Sequence, residues 1–249
     1  MSLTAKIALS PLLVAQALLT RSRMPRLPEP AGQRLGVVGA AQATPLRLLL
    51  AGDSSAAGVG VRKQSQALAE PLARQLAQTC SARVHWQLFA QSGLTTLQTF
   101  RLLQREAPPQ ADMAVVVTGI NDVMGQVPSR RAVLVREAIT NWLRNGHAVQ
   151  HVVFAPLPPV HAFPGLPQPL RWVAGADAQR HNAALQEWAG TRADVSCVDM
   201  QLPLDTTLMA SDGFHPGAPA YRYCADAIAQ HIATRVWPQL QLDRLETAP

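Results

Sequence analysis

The sequence predicts an α/β fold in which helices cover both faces of a parallel β-sheet. Five short apolar runs alternate along the chain with stretches of helical spacing, as expected when each strand is followed by a crossover helix. The runs at residues 46–52 and 113–119 are apolar at consecutive positions, so both faces of these strands require cover. We therefore expect a five-stranded parallel sheet in a doubly wound, three-layer α/β/α sandwich.

Each predicted element rests on a local pattern of apolar and breaking residues. The strands are expected at residues 46–52, 82–90, 113–119, 151–156 and 195–200. The helices are expected at residues 66–79, 94–106, 129–145, 170–190 and 219–235. In the first helix, Leu68, Leu72 and Leu76 recur at helical spacing and form one apolar face. Gly146 is expected to end the third helix, because glycine readily adopts the left-handed conformation found at helix ends.

The chain divides into an N-terminal segment, residues 1–45, and a globular domain, residues 46–249. The boundary is set by a stretch rich in proline and glycine at residues 23–36, which is typical of a linker or an extended strap. No internal repeat is present, and the length suits one large α/β unit.

An apolar run at residues 7–19 follows Lys6 and resembles the start of a signal peptide. Arginines follow it directly, where a cleavage site would have small neutral residues, and the run is shorter than the ~20 residues of a spanning helix. Residues 3–26 are therefore expected either to contact a membrane surface, with arginines meeting lipid phosphates, or to pack on the domain. A cytoplasmic or peripherally membrane-associated location is favoured over export.

Composition excludes several functional classes. The net charge of +6 comes almost wholly from scattered arginines, and aromatic residues make up only 5% of the chain, so no nucleic-acid-binding stripe is expected. The three cysteines, Cys80, Cys197 and Cys224, are widely spaced and form no CxxC pair. We expect buried thiols there rather than a disulfide framework or a metal site.

Polar residues follow several of the predicted strands at the edge where parallel sheets gather their active groups. These polar residues form four blocks. In chain order the blocks are Gly52-Asp53-Ser54-Ser55, Ser92-Gly93, Gly119 with Asn121 and Asp122, and Asp212 with His215.

These blocks combine into a hypothesis for nucleophilic catalysis. A serine hydroxyl needs a neighbouring base, for which His215 is the candidate, and Asp212 can hold the second imidazole nitrogen. An oxyanion needs converging donors, for which we expect the Ser54 backbone amide, the Gly93 amide and the Asn121 side chain. The aspartates that precede Ser54 and follow Asn121 are expected to fix their turns.

Together the blocks "GDSSAAG", Gly93, "GIND" and "DGFHP" resemble the SGNH, or GDSL, hydrolase superfamily over residues 46–235. The resemblance implies a flavodoxin-like α/β/α fold that needs no cofactor. It also implies that Ser54, rather than Ser55, is the nucleophile, with His215 as its base. Members of this superfamily include esterases, lipases, lysophospholipases, thioesterases and carbohydrate deacetylases.

The proline-rich segment at residues 156–172 is expected to shape the substrate pocket. Its apolar residues Leu157, Phe163 and Leu166 suit an acyl chain, and His161 is a weaker candidate for the same wall. The leading hypothesis is a serine esterase that acts on small-molecule acyl esters and is similar to lipases and lysophospholipases. Two alternatives stay open, a carbohydrate O-deacetylase and a non-catalytic binding module. The presence of Ser54, His215 and Asp212 together argues against the binding module.

Overall fold

A six-stranded mixed sheet forms the centre of the structure, a computed structural model that describes the backbone of residues 3–200 and 205–246. Side chains are described for residues 9–200 and 205–245. The strand order is β1-β3-β2-β4-β5-β6. The strands are β1 (Leu35–Val38), β2 (Thr44–Gly52), β3 (Ala82–Ala90), β4 (Met113–Val117), β5 (His151–Phe154) and β6 (Val195–Cys197).

The expected five parallel strands are present as β2 to β6, and β1 adds a sixth strand that runs antiparallel to β3. The strand count predicted from the sequence is corrected accordingly. Leu35 and Val37 are exposed on this edge strand, whose four residues overlap the end of the stretch expected to be a linker and form an apolar run too short to predict a strand. The division at residue 45 stays a prediction, although β1 shows that part of the N-terminal segment joins the sheet.

Helices cover both faces of the sheet. They are α1 (Leu3–Arg23), α2 (Ser54–Ala57), α3 (Ala69–Thr79), α4 (Thr96–Glu106), α5 (Ile120–Met124), α6 (Ser129–His147), α7 (Leu170–Ala189), α8 (Ala218–His231) and α9 (Trp237–Glu246). The expectation that Gly146 ends α6 is wrong, because the helix continues through it and Ala148 takes the left-handed conformation instead. A π-helical turn at Ile232–Val236 joins α8 to α9, so the last helical region is longer than expected.

The sheet separates two apolar cores. Leu50 faces a core shared with α3 and α8, and its neighbour Leu49 faces a core shared with α6 and α7. Both side chains are fully buried, as expected for a central strand covered on both faces. A third apolar cluster, which includes Ile120, Val160 and Phe163, lies under the loops that follow β4 and β5.

Helix α1 packs on α7 through a narrow contact. The side chain of Gln16 donates to the Gln168 carbonyl at 2.7 Å and accepts from the Leu170 N–H at 3.1 Å. Leu13 and Ala17 pack against the third cluster. Within residues 3–200 and 205–246, no helix combines the length and the apolar character needed to cross a bilayer.

Candidate active site

Ser54 is placed at the carboxyl end of the central strand β2, as the first residue of the short helix α2. The strand ends on Gly52, where a Cβ atom would lie 2.1 Å from the Val117 carbonyl oxygen on β4. Asp53 then caps α2 by accepting a hydrogen bond from the Ser55 N–H at 2.9 Å. Glycine therefore permits close strand contact, and the aspartate fixes the turn that presents Ser54.

His215 lies beside Ser54, although the two residues are far apart in the chain. Its Nε2 atom is 3.0 Å from the Ser54 Oγ atom, and its Nδ1 atom is 2.6 Å from a carboxylate oxygen of Asp212. The other oxygen of Asp212 accepts the backbone N–H groups of Phe214 and His215, each at 3.0 Å. The structure thus brings together the serine, histidine and aspartate that the sequence singled out.

The electrostatics of Asp212 favour a negative charge next to the imidazole. Burial acts to raise the pKa of Asp212, but the hydrogen bonds from His215 and from two backbone N–H groups outweigh it and hold this pKa below its usual value. Asp212 is therefore ionised at neutral pH. Its carboxylate accepts a hydrogen bond from the Nδ1–H group of His215 when that nitrogen carries a proton.

The loops that carry Gly93 and Asn121 are joined directly. The Asn121 side-chain amide donates one hydrogen bond to the Leu94 carbonyl at 3.0 Å, and a primary amide carries a second N–H. Gly93 has φ +81°, a left-handed conformation, and a Cβ atom there would meet nothing within 4 Å. The backbone beside Gly93 is therefore open to a bound molecule.

Asp122 and Asp53 act as buried acceptors, as expected. Asp122 accepts from the Thr96 N–H at 3.1 Å and from the Thr96 hydroxyl at 2.5 Å, which fastens α5 to the start of α4. Burial raises the pKa of Asp53 to about 7, against the hydrogen bond from the Ser55 N–H, which lowers it. Asp53 is thus partly protonated near neutral pH.

An apolar cavity of about 60 Å³ opens beside His215. The larger apolar side chains that line it are Ile120, Phe163, Leu208, Met209 and Phe214.

Of the three residues expected to line a substrate pocket, Phe163 lines this cavity and the other two lie elsewhere. Leu157 and Leu166 are 9% and 2% exposed and point into the third cluster, and His161 packs against Gly175. Sequence reasoning missed Leu208 and Met209, although their position just before "DGFHP" was an available signal.

The cysteines are free thiols. Burial raises the pKa of Cys197 to about 11 and that of Cys224 to about 12, so both stay protonated at neutral pH. Among the described residues, no group of three or more His, Cys, Asp or Glu side chains is arranged to hold a metal ion.

A Ser-His-Asp arrangement at the carboxyl edge of a mostly parallel α/β sheet defines a class, the α/β proteins with a serine-hydrolase type of site. The chain belongs to the GDSL-like lipase/acylhydrolase family, whose model matches residues 50–223. A GDSL-like esterase of Mycobacterium tuberculosis is 28% identical over 218 residues, covering 81% of this chain and 66% of that protein. This chain thus spans slightly less than two thirds of the length of that curated relative.

Two solved structures share the fold. A lipase from a goat rumen metagenome has a TM-score of 0.61 at 17% identity, with 76% of this chain and 98% of that chain covered. A carbohydrate esterase family 2 enzyme of Corynascus thermopiles, with its carbohydrate binding domain, has a TM-score of 0.60 at 15% identity. That match covers 80% of this chain and 69% of the other.

Proposed function

We propose that this protein is a serine esterase that hydrolyses acyl esters. The observation that carries the proposal is the hydrogen-bonded chain from the Ser54 hydroxyl through His215 to Asp212, beside an apolar cavity. A buried serine with a base in hydrogen-bond reach, itself held by a carboxylate, meets the geometric requirement for covalent catalysis.

The first half of the reaction forms an acyl-enzyme. His215 Nε2 takes the proton of the Ser54 hydroxyl as the Oγ atom attacks the ester carbonyl carbon. The resulting oxyanion is held by the Ser54 N–H, the Gly93 N–H and the Asn121 amide. His215 then gives its proton to the departing alcohol, while Asp212 stabilises the imidazolium.

The second half returns the free enzyme. Water enters, loses a proton to His215 and attacks the acyl carbon. The intermediate then releases the carboxylic acid, and His215 returns the proton to the Ser54 oxygen. Each of these steps uses side chains and backbone groups of the chain itself.

The cavity supports a short acyl group. Its volume of about 60 Å³ is less than half of the ~150 Å³ of an engineered cavity that binds benzene. Its wall is mostly apolar, so it suits the first carbons of an acyl chain. A longer chain, as in a lysophospholipid, would extend beyond the cavity mouth.

The same small volume also favours a second candidate, a carbohydrate O-deacetylase, because an acetyl group fits. The apolar wall, with few polar groups to orient a sugar, supports acyl esters over sugars as the first choice. A non-catalytic binding module is the third reading, and it predicts no turnover of any ester.

A chain-length series tests the proposal. We expect p-nitrophenyl acetate and butyrate to be turned over faster than laurate, and Ser54→Ala to lose turnover and labelling by a fluorophosphonate. Faster hydrolysis of an acetylated sugar than of any simple ester would indicate the deacetylase. Wild-type protein no faster than Ser54→Ala on every substrate would overturn both enzymatic functions.

The cavity assignment has a matched test in the same assay. Met209→Ala should move the optimum toward longer acyl chains, because Met209 lines the cavity and is partly exposed. Leu157→Ala should leave the chain-length profile unchanged, since Leu157 lies outside the cavity wall.

We further propose that α1 docks on an anionic lipid surface. Its outer face exposes Leu12, Val14, Leu18 and Leu19, each by about half or more of its surface. Its sequence contains no acidic residue, and Arg21 and Arg23 lie in the last turn, where they complement lipid phosphates.

Vesicle flotation tests this surface. We expect wild-type protein to float with vesicles that contain an anionic phospholipid, and a Leu12→Gln, Leu18→Gln variant to stay in solution. The variant keeps the inner contacts of Gln16 and Ala17, so its turnover of a soluble ester should match wild type. Equal flotation of both proteins, or of neither, would contradict the proposal.

A further inference from the structure

Arg136 on α6 is a buried arginine. Burying its guanidinium lowers the stability of the fold, and no structural contact among the described residues accounts for its presence. Its side chain is 1% exposed, and it is the largest fully buried side chain among the described residues. Only its Nη2 atom donates, to the Thr118 carbonyl at 3.4 Å, and its buried Nε and Nη1 atoms have no hydrogen-bond partner among the described residues. Buried charges and unpaired donors destabilise a fold, so such a group indicates a functional constraint.

The guanidinium lies against the turn that begins α5. A Cβ atom at Gly119 would lie 2.7 Å from the Arg136 Nη2 atom, and Gly119 has φ +126°. Asn121, the expected oxyanion donor, follows two residues later on α5. Arg136 therefore holds the backbone from which Asn121 projects.

Thr118 connects this turn to the second donor loop, because its hydroxyl lies 2.8 Å from the Thr96 hydroxyl. Burial lowers the pKa of Arg136, and the nearby Asp122 acts against that shift. The Asp122 carboxylate accepts from the Thr96 N–H and hydroxyl. Thr96 begins α4, directly after the loop of Gly93. Thr118 and Asp122, which are both hydrogen-bonded to Thr96, thus join the turn that contacts Arg136 to the loop of Gly93.

We propose that Arg136 is a positioning residue for the oxyanion hole, which rests on the proposed esterase function. Its guanidinium holds the Thr118–Gly119 turn through the Thr118 carbonyl. The position of the donors matters because an oxyanion forms only as the reaction proceeds. Removing Arg136 should therefore slow turnover and leave ground-state binding of the ester nearly unchanged.

Arg136→Met is the direct test, because methionine keeps an apolar stem and loses the charge and the donors. We expect kcat for p-nitrophenyl acetate to fall by about 10- to 100-fold, below the ~100- to 1,000-fold cost of losing an oxyanion donor itself. KM should stay within about 3-fold, and the melting temperature should stay above the assay temperature, so that the loss of kcat is not a loss of folded protein. Arg131→Met, an exposed arginine on the same helix, is the matched control.

Hydrogen exchange supplies a readout that does not require turnover. The Val123 N–H bonds to the Gly119 carbonyl and the Gly125 N–H to the Asn121 carbonyl. Both amides should exchange faster in Arg136→Met than in wild type or Arg131→Met. If wild-type protein lacks esterase turnover, the proposed function fails, and this measurement still decides whether Arg136 positions α5.

Two outcomes would overturn the inference. The first is a folded Arg136→Met variant with wild-type kcat and wild-type exchange at α5. The second is a loss of activity that only follows a lower melting temperature, which indicates a structural role. If Arg136→Met does not fold, Arg136→Gln replaces it, because glutamine is shorter and uncharged, and wild-type kcat with wild-type exchange in that variant would equally refute the proposal.

Discussion

The adjacent residues Ser54 and Ser55 have different surroundings. The Ser54 hydroxyl lies 3.0 Å from His215, whereas the Ser55 backbone N–H is bonded to Asp53 and its side chain lies at the cavity wall. We expect Ser54→Ala to lower kcat by a factor on the order of 10⁴ to 10⁶, and Ser55→Ala to change it by less than about 10-fold. Steady-state kinetics with p-nitrophenyl butyrate provide the measurement, and equal losses in the two variants would contradict the assignment.

Asp53 makes stability depend on pH. Its folded pKa of about 7 exceeds the ordinary value of 3.8, so between pH 4 and pH 7 the folded chain binds more protons than the unfolded chain. The Asp53 contribution to stability is therefore greatest below pH 4, falls as pH rises toward 7 and is constant above 7.

Asp53→Asn removes this titration. Wild-type protein should lose stability relative to the variant as pH rises from 4.5 to 7.5, and the difference should then level off. Thermal unfolding of both proteins across that range measures the effect. A difference that is constant with pH would show that burial does not shift the Asp53 pKa.

At the scale of elements, the fold requires the glycine at the start of α5, Gly119, but not the glycine inside α6, Gly146. Gly119→Ala should destabilise the protein by about 1–3 kcal/mol, because φ +126° strains an alanine and its Cβ atom would meet Arg136. Gly146→Ala should be neutral or stabilising by up to about 1 kcal/mol, since Gly146 is exposed, helical and has open space around it. Urea unfolding of the two variants measures both changes, and similar effects would argue against the α5 turn geometry.

The short helices α2 and α5 both begin near strand ends and carry Ser54 and Asn121. Neither is long enough to be stable alone, so tertiary contacts must hold them. Asp53 holds α2 through the Ser55 N–H, and Asp122 holds α5 through Thr96. These contacts explain why an acidic residue lies next to Ser54 and another next to Asn121.

At the scale of the whole molecule, the central strand β2 contributes side chains to both apolar cores. Leu49→Ala and Leu50→Ala should each cost about 2–5 kcal/mol, because each removes a fully buried side chain from a different core. Leu35→Ala on the edge strand should cost less than about 0.5 kcal/mol, since Leu35 is 66% exposed. Chemical denaturation tests the ranking, and a large loss at Leu35 would indicate that β1 is covered in solution.

Local sequence patterns determined the five parallel strands and most of the helices. Apolar runs and helical spacing are read within about ten residues, so these elements could be predicted without knowledge of their neighbours. The site residues could be predicted for a similar reason. Parallel strands all end at one edge, so the polar blocks that follow them meet there.

Three features could be seen only in the tertiary structure. They are the position of β1 in the sheet, the residues that line the cavity and the burial of Arg136. β1 pairs with a strand that lies more than 40 residues away, and its own four residues are too few to predict a strand. Leu157, Phe163 and Leu166 all belong to the third cluster, and of these three only Phe163 also lines the cavity. The burial of Arg136 depends on α6 packing under the α5 turn, and an arginine on a helix is ordinarily expected in solvent. Alternation along the chain thus determined the elements, and the polar blocks at the strand ends determined the candidate site residues, whereas contacts between distant segments decided which side chains surround them.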